Sequence, residues 1–460
     1  MERGKKQGKK IKHRSSFLSV PIVFLGFILL GTILLMLPFS TAPGNETTVL
    51  TALFTSTTSV CVTGQIVVDT CTHWSLFGKI IILALIQLGG LGIIAIVMYF
   101  LHFTQKDMSL ADTLTLKDMF SLDDTKNLNY FFGNVFKITF AIEGIGAILY
   151  LPLFCPEFGA LKGFWYSLFT SISAFCNAGI FIADPDSLEK YNGSPLMLIV
   201  TMIMIVLGGI GYIVFQDFQG LRGMTRRKKM KIGLRSLKVH TRLVLMLTTG
   251  LIFGGALIIF ILEYSNPGTF GNMPLGKKIL NSIFQSVTTR TAGFSTVPQE
   301  NLRESTTLVS DVLMFIGGSP LGTAGGVKTV TIFILLKNVY SYLGNKEEVT
   351  ILKRRVPTGL IRKSTAIVTV QLSVVLIISM LLMAATEASM ADAFYETFSA
   401  VSTVGLSRGL TDTLNTAGQI LIIIGMFLGR VGPITMLLFF RNSGSGKNDI
   451  HFADGKYIVG

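Results

Sequence analysis

The chain reads as an all-α integral membrane protein. It has four span–pore-helix–span repeats, giving eight transmembrane helices and four re-entrant pore loops around one pseudo-fourfold pore. Three observations predict this. The first is composition: 50% of the 460 residues are hydrophobic and only 14% are charged, with a mean hydropathy of +0.60. A soluble domain carries roughly 25% charge. The second is a series of apolar runs of about 20 residues, the length that crosses a bilayer. The third is self-similarity. Gly64, Gly179, Gly293 and Gly405 recur at intervals of 115, 114 and 112 residues. Each follows a segment rich in phenylalanine and hydroxyls: Leu53-Phe54-Thr55-Ser56, Leu168-Phe169-Thr170-Ser171, Ile283-Phe284-Gln285-Ser286 and Thr397-Phe398-Ser399-Ala400. Recurrence at a fixed interval marks an internal repeat.

A basic N-terminus, residues 1–16, precedes repeat 1 at 17–103. Its first span, 17–38, is long for the core of a cleaved signal and lacks a small-x-small end. A helix at 49–58 is too short to cross and must re-enter. Its Thr55, Ser56, Thr57 and Thr58, and Ser59 beyond it, would be costly against lipid. The loop 59–69 and a second span at 77–101 complete the repeat. The linker 104–130 mixes Lys106, Lys117 and Lys126 with five aspartates and reads as a solvated amphipathic helix.

Repeat 2, residues 131–218, has spans at 131–154 and 195–218, a pore helix at 163–175 and a loop at 176–184. A basic loop, 219–242, contains Arg226-Arg227-Lys228-Lys229. Repeat 3, residues 243–343, has a span at 243–263, a pore helix at 276–288, a loop at 289–297 and a long segment at 308–343. Gly317-Gly318-Ser319-Pro320-Leu321-Gly322-Thr323-Ala324-Gly325-Gly326 interrupts that segment. Five glycines and a proline do not hold a straight helix. Broken helices at mid-membrane typify transport sites, so this is expected to be a moving element. A second basic loop, 344–364, contains Lys353-Arg354-Arg355. Repeat 4, residues 365–440, has spans at 365–386 and 417–440, a pore helix at 391–401 and a loop at 402–412, before a polar tail at 441–460.

The net charge of +14 sits in blocks between the spans. That is the pattern of cytoplasmic loops and not of a nucleic-acid surface. Both termini are expected on the cytoplasmic side of a plasma membrane. Enzyme chemistry is excluded by the lack of any triad, Walker loop or HExxH. Cys61, Cys71, Cys155 and Cys176 have no metal spacing and are expected to be free thiols.

Thr403-Val404-Gly405 begins the kind of loop in which backbone carbonyls replace an ion's water shell. Val62-Thr63-Gly64, Asn177-Ala178-Gly179 and Thr291-Ala292-Gly293 stand in the same context. These twelve residues are the candidate filter. Glycine permits the positive φ that keeps successive carbonyls aimed inward. The pore helices would turn their negative ends toward the axis, favouring a cation. The bound species would be the transported potassium ion, with sodium as a second candidate. Two ionisable residues lie inside spans, where such groups are functional candidates. Glu143 is either a coupling-ion ligand or the buried partner of a donor on a neighbouring helix. Arg430, in Gly429-Arg430-Val431-Gly432-Pro433, would act as a barrier to cations. Arg290, three residues before Gly293, is expected to face away from the ion in a structural salt bridge.

The loops Thr-Gly, Asn-Ala-Gly, Thr-Arg-Thr-Ala-Gly-Phe and Ser-Thr-Val-Gly, with the broken segment and Gly-Arg-Val-Gly-Pro, resemble the Trk/Ktr/HKT superfamily of potassium transporters. The resemblance covers about residues 17–440. One span precedes the first pore helix, so the chain looks like a Ktr-type membrane subunit more than the Trk type. The resemblance implies potassium uptake by a homodimer in the lipid bilayer, with one pore per protomer and one filter glycine per loop. It implies a gating loop of Gly317, Gly318, Ser319, Pro320, Gly322, Thr323, Ala324, Gly325 and Gly326, which Arg430 helps hold closed. It also implies docking on a cytoplasmic nucleotide-binding regulatory ring of KtrA type, the nucleotide lying on that partner only. The alternative is a sodium- or proton-coupled potassium symporter of the Trk type. Two departures stand out: Cys176-Asn177 replaces the usual Asn-Asn, and Leu321 is bulky for a gating loop.

Overall fold

The computed structural model describes residues 19–92, 128–220 and 237–432. These residues form helices in four successive units. Unit 1 holds α1 (Ser19–Leu35), the short α2 (Val49–Cys61), α3 (Thr70–His73) and α4 (Leu76–Leu91). Unit 2 holds α5 (Leu128–Phe158), α6 (Ala160–Cys176), α7 (Pro195–Gly209) and α8 (Tyr212–Gly220). Unit 3 holds α9 (Val239–Glu263), α10 (Leu275–Thr288), α11 (Glu304–Phe315) and α12 (Thr329–Leu343). A two-stranded hairpin, β1 (Thr350–Ile351) with β2 (Arg354–Arg355), pairs Thr350 with Arg355 in the second basic loop. Unit 4 holds α13 (Thr358–Ala385), α14 (Met390–Ser402) and α15 (Thr416–Val431).

Hydroxyl and amide caps start many of these helices. Thr48, Ser75, Ser194, Ser389 and Asn415 each accept a first-turn N–H with the side chain, satisfying a donor the helix cannot. The repeated Phe-Thr-Ser segments have a specific use. Ser56 Oγ donates to the Ile28 carbonyl, Ser171 Oγ to that of Glu143 and Ser286 Oγ to that of Ile252. Each bond fastens the short helix of a unit to its first helix. Three residues further along those first helices stand Gly31, Gly146 and Gly255, where a Cβ would strike the same serines. In unit 4 the matching position is Ala400, which cannot make the bond.

The units close on themselves. The second helix of each packs on the short helix of the next: α4 on α6, α7 on α10, α11 on α14, and α15 back on α2. The short helices are buried and polar, with Thr57, Thr58, Ser59, Ser173, Thr288 and Ser399 fully enclosed. The outer faces are apolar, with Ile33, Ile148, Ile261 and Met380 exposed. Polar groups are enclosed beside an apolar core that includes Phe54, Trp74 and Phe154, while large apolar side chains also cover the outside, unlike a soluble domain. This order suits a protein whose surroundings cannot satisfy polar groups.

Among the described residues, α5, α9 and α13 are long and apolar enough to cross a membrane, and α7 with α8 makes a bent fourth. The expected single span at 195–218 is corrected: it breaks between α7 and α8 with a bend of 88°. Gly211 at the break has φ +94°, which ends regular helix there. Helices α1, α4, α12 and α15 are apolar but shorter. The expected spans at 77–101 and 417–440 are helical to Leu91 and Val431, and residues 93–101 and 433–440 lie outside the described residues. The N-terminus, the linker 104–130 up to 127, most of the basic loop 219–242 and the tail 441–460 also lie outside them.

Candidate functional site

Each short helix runs its C-terminus into a glycine loop. The turn is made by a residue in the left-handed region: Val62 (φ 54°), Asn177 (φ 60°), Thr291 (φ 66°) and Thr403 (φ 54°). Asparagine adopts this conformation readily, but a β-branched residue there costs about 1–3 kcal/mol. Side-chain hydroxyls offset the strain by bonding back to the loop. Thr58 Oγ1 accepts the N–H of Gly64, and Ser399 Oγ that of Gly405. Ser173 Oγ donates to the Ile180 carbonyl and Thr288 Oγ1 to that of Phe294.

The four loops meet in a ring. A Cβ on Gly64 would lie 2.5 Å from the Ala178 carbonyl oxygen, and one on Gly179 would lie 2.6 Å from that of Ala292. One on Gly293 would lie 2.5 Å from the Val404 oxygen, and one on Gly405 would collide with that of Thr63. Every glycine thus faces the carbonyl preceding the glycine of the next unit, and the fourth faces the first. All four have φ between 67° and 104°, so a side chain is opposed by both conformation and space. The ring brings together all twelve candidate filter residues in sequence-adjacent triplets.

A buried carboxylate braces the ring between units 4 and 1. Glu396, inside α14, accepts from Gln65 Nε2 (2.6 Å), Thr411 Oγ1 (2.6 Å), Ser407 Oγ (2.5 Å) and the Arg408 N–H (2.9 Å). Arg408 Nε in turn donates to Asp392 at 2.8 Å. The sequence reading passed over Glu396, although an ionisable residue in a re-entrant helix was the available signal.

Beneath the ring the helix that follows each glycine loop ends its regular course at an equivalent place. Units 1, 2 and 4 read Gly89-Gly90-Leu91-Gly92, Gly208-Gly209-Ile210-Gly211 and Gly429-Arg430-Val431-Gly432. The first glycine of each allows contact with the short helix, since a Cβ would strike the carbonyl of Val60, Phe175 or Val401. The last takes φ of 80°, 94° or 88°. In unit 3 the interruption, from Ile316 to Lys328, separates α11 from α12. This break was legible in the sequence from its composition, and the Gly-x-x-Gly spacing shared by the other three units was legible as well.

The expanded segment is held on several sides. The N–H groups of Ser319 and Thr323 donate to the Gly209 and Gly208 carbonyls, and that of Tyr212 donates to the Leu321 carbonyl. The segment thus satisfies backbone groups that the bend at Gly211 sets free. Arg430 stands where units 1 and 2 have glycine. Its Nη1 donates to the Thr323 carbonyl at 2.7 Å and its Nη2 to that of Gly89 at 2.5 Å. Lys328 Nζ donates to the Ala324 carbonyl at 2.6 Å.

The expected salt bridge of Arg290 is corrected. Among the described residues the ion pairs are Lys190–Glu157, Arg355–Glu348 and Arg408–Asp392. Arg290 is buried, and its Nη2 donates to the Gly317 carbonyl at 3.3 Å. The start of the segment offered an acceptor where no carboxylate stood. Glu143 meets a donor on a neighbouring helix: Gln87 Nε2 lies 3.0 and 3.2 Å from its two oxygens. All four cysteines are free.

The model of the TrkH family, cation transport proteins, matches residues 3–449. The chain belongs to this family. Among TrkH-family relatives it is 35% identical to the Ktr system potassium uptake protein B of Bacillus subtilis, over 95% of this chain and 96% of that one. It is 34% identical to the protein of the same name from Vibrio alginolyticus, over 90% and 88%. It is 32% identical to the potassium/sodium uptake protein NtpJ of Enterococcus hirae, over 93% and 94%. The crystal structure of the potassium transporter TrkH from Vibrio parahaemolyticus superposes with a TM-score of 0.74 at 16% identity, covering 95% of this chain and 87% of that one. The fold is therefore a TrkH fold.

Proposed function

We propose that this TrkH-family chain is a potassium-translocating membrane subunit for uptake across the plasma membrane. The observation that carries the reading is the closed ring in which each unit's glycine faces the next unit's carbonyl. Such a ring offers several modest oxygen ligands at once, which suits a weakly hydrated monovalent cation. The ion ligands are the carbonyls of Val62, Thr63, Gly64, Asn177, Ala178, Gly179, Thr291, Ala292, Gly293, Thr403, Val404 and Gly405. The Ktr and NtpJ names of the relatives support potassium as cargo and leave sodium as a second.

In this reading the four units are four repeats with eight spans around one pseudo-fourfold pore, and both termini are cytoplasmic. The segment Gly317–Gly326 is the gate. Seated, it lies under the ring, and Arg430 both holds it and repels cations. Moved aside, it leaves an open path. A Ktr system has more than one component, which supports a cytoplasmic regulatory partner. The homodimer and the nucleotide-binding ring follow from the family resemblance. The second reading, a sodium- or proton-coupled symporter, would need a coupling-ion ligand, for which Glu143, hydrogen-bonded by Gln87, is the candidate.

The test is potassium uptake in cells lacking their own transporters, with and without the ring partner. Uptake that requires this chain and rises with the partner is expected. Its absence with both components present would sink the reading. A Cys at position 228 should be labelled only from the cytoplasmic side, because the basic blocks orient the chain.

A further inference from the structure

The gating segment touches the glycine loops themselves. Thr323 Oγ1 donates toward the Phe175 carbonyl at 3.0 Å and toward Asn177 Oδ1 at 3.1 Å. The Gly325 N–H donates to Thr291 Oγ1 at 3.2 Å. A Cβ on Gly325 would strike Thr403 Oγ1. Asn177, Thr291 and Thr403 are the left-handed residues of loops 2, 3 and 4. The fourth such residue, Val62, is apolar and packs against Gly89 instead. Polar side chains therefore stand at the three turn positions that meet the segment.

Thr323, Asn177 and Thr291 are all buried, so a bond lost between them leaves a polar group unpaired at a cost well above its net worth when made. The contact with loop 2 is the most developed. A single hydroxyl proton is shared between two acceptors, while Asn177 Nδ2 has no partner. With the Asn177 amide turned over, Nδ2 would donate to Thr323 Oγ1 and the hydroxyl would donate to Phe175 alone. That arrangement gives Nδ2 an acceptor and leaves the hydroxyl proton a single one. Gly208 closes this site from the side, since a Cβ there would lie 2.7 Å from Thr323 Oγ1 and 2.8 Å from Asn177 Oδ1.

We propose that Thr323 is a specificity-determining residue: by bonding the Phe175 carbonyl and the Asn177 side chain, it sets the shape of loop 2. The ring's preference for potassium over sodium then depends on the gating segment being seated beneath it. The inference rests on the filter and gate reading above and joins the two into one unit. Linkage requires the converse as well: the ion in the ring biases the segment.

The test is calorimetric titration of the purified full-length protein, without the ring partner, with potassium chloride and with sodium chloride. Thr323→Val should lower the potassium-to-sodium affinity ratio by about fivefold, the size of one buried neutral hydrogen bond. Thr323→Ser keeps the hydroxyl and should keep the wild-type ratio. Gly179→Ser should lower the ratio further than Thr323→Val. A folded Thr323→Val protein with the wild-type ratio overturns the proposal and leaves the filter reading intact. If that variant does not elute as a folded protein, the ratio in Thr323→Ala decides in its place. Equal losses in Thr323→Ser and Thr323→Val would mean that packing and not the hydroxyl is sensed, and would also overturn it. A Gly179→Ser protein that keeps the preference would overturn the filter reading itself.

Discussion

The ring of glycine loops and the helix breaks below it are built on the same four units, yet only the ring keeps the units alike. In the ring every unit supplies a left-handed residue, a carbonyl and a glycine in the same order. In the lower layer the breaks begin alike and then diverge. Units 1 and 2 have Gly90 and Gly209 where unit 4 has Arg430, and unit 3 inserts a segment reaching Lys328. The difference follows from geometry. A ring closes only if each loop fits both neighbours, so every loop is constrained twice. The breaks below the ring close no such ring: each fits its own short helix, and their contacts with one another differ from unit to unit, through Arg430 in one and the inserted segment in another.

This contrast predicts that changes in the ring alter which ion passes, and that changes in the breaks, apart from Thr323 where the segment meets the ring, alter how much passes. The largest effect is expected at Gly405. Gly405→Ser places a side chain against the Thr63 carbonyl at a φ of 100°. Potassium-to-sodium permeability should fall by about tenfold or more, equivalent to about 1.4 kcal/mol. Unchanged ratios in Gly64→Ser, Gly179→Ser, Gly293→Ser and Gly405→Ser alike would break the comparison at its upper layer.

Next in size is Glu396→Ala. It strands the donors of Gln65, Ser407, Arg408 and Thr411 in a buried site. Hydrogen bonds to a charged acceptor contribute about 1.5–3 kcal/mol each. A clear drop in the melting temperature of the detergent-solubilised protein is expected, together with weakened ion discrimination. A variant as stable and as selective as wild type would show that units 4 and 1 need no brace.

Arg430→Ala tests the lower layer. It removes the bonds to the Thr323 and Gly89 carbonyls and, under the proposed function, a positive charge from the ion path. Uptake without the ring partner should rise severalfold. Wild-type flux with undiminished partner dependence would reduce the segment to a packing kink.

The smallest effect is expected at Glu189, which the proposed topology puts at the outer mouth. Glu189 lies beside loop 3, where the Leu188 N–H donates to the Ser295 carbonyl. Burial, followed by the charges of Asp186, Glu300 and Asp184, pushes its carboxyl up to about 7. Below that pH the group is neutral in the folded protein, and above it the mouth gains a negative charge that attracts cations. Uptake at low external potassium should rise modestly as external pH passes through 7, and Glu189→Gln should flatten that rise. The same ionisation slightly destabilises the fold, because the raised carboxyl is charged there only against burial and its acidic neighbours. A pH profile identical in Glu189→Gln would remove this residue from the mouth's electrostatics.

Much of the candidate site was legible in the sequence because the repeat imposes a local pattern. Gly64, Gly179, Gly293 and Gly405 could be found by spacing alone. The segment Gly317–Gly326 was visible because no ordinary helix tolerates its composition. Gly92, Gly211 and Gly432 were equally visible but were read as parts of continuous spans, since an apolar run hides a single φ reversal. The bend at Gly211 followed from that oversight. The partner of Arg290 was beyond sequence reading, because a guanidinium donates to a carbonyl as well as to a carboxylate, and Gly317 is 27 positions away in the chain.

By itself the sequence determined the helical units, their number and order, the glycines at each turn and the polar lining of each short helix. Periodicity, capping residues and the cost of polar groups in lipid act locally, so they leave their mark on neighbouring residues. The tertiary structure alone decided that loop 4 closes on loop 1, that Glu396 braces that seam and that Thr323 meets Asn177. Those contacts join residues 331 and 146 positions apart in the last two cases. They depend on where packed helices leave a donor and an acceptor facing each other, and no local pattern encodes that.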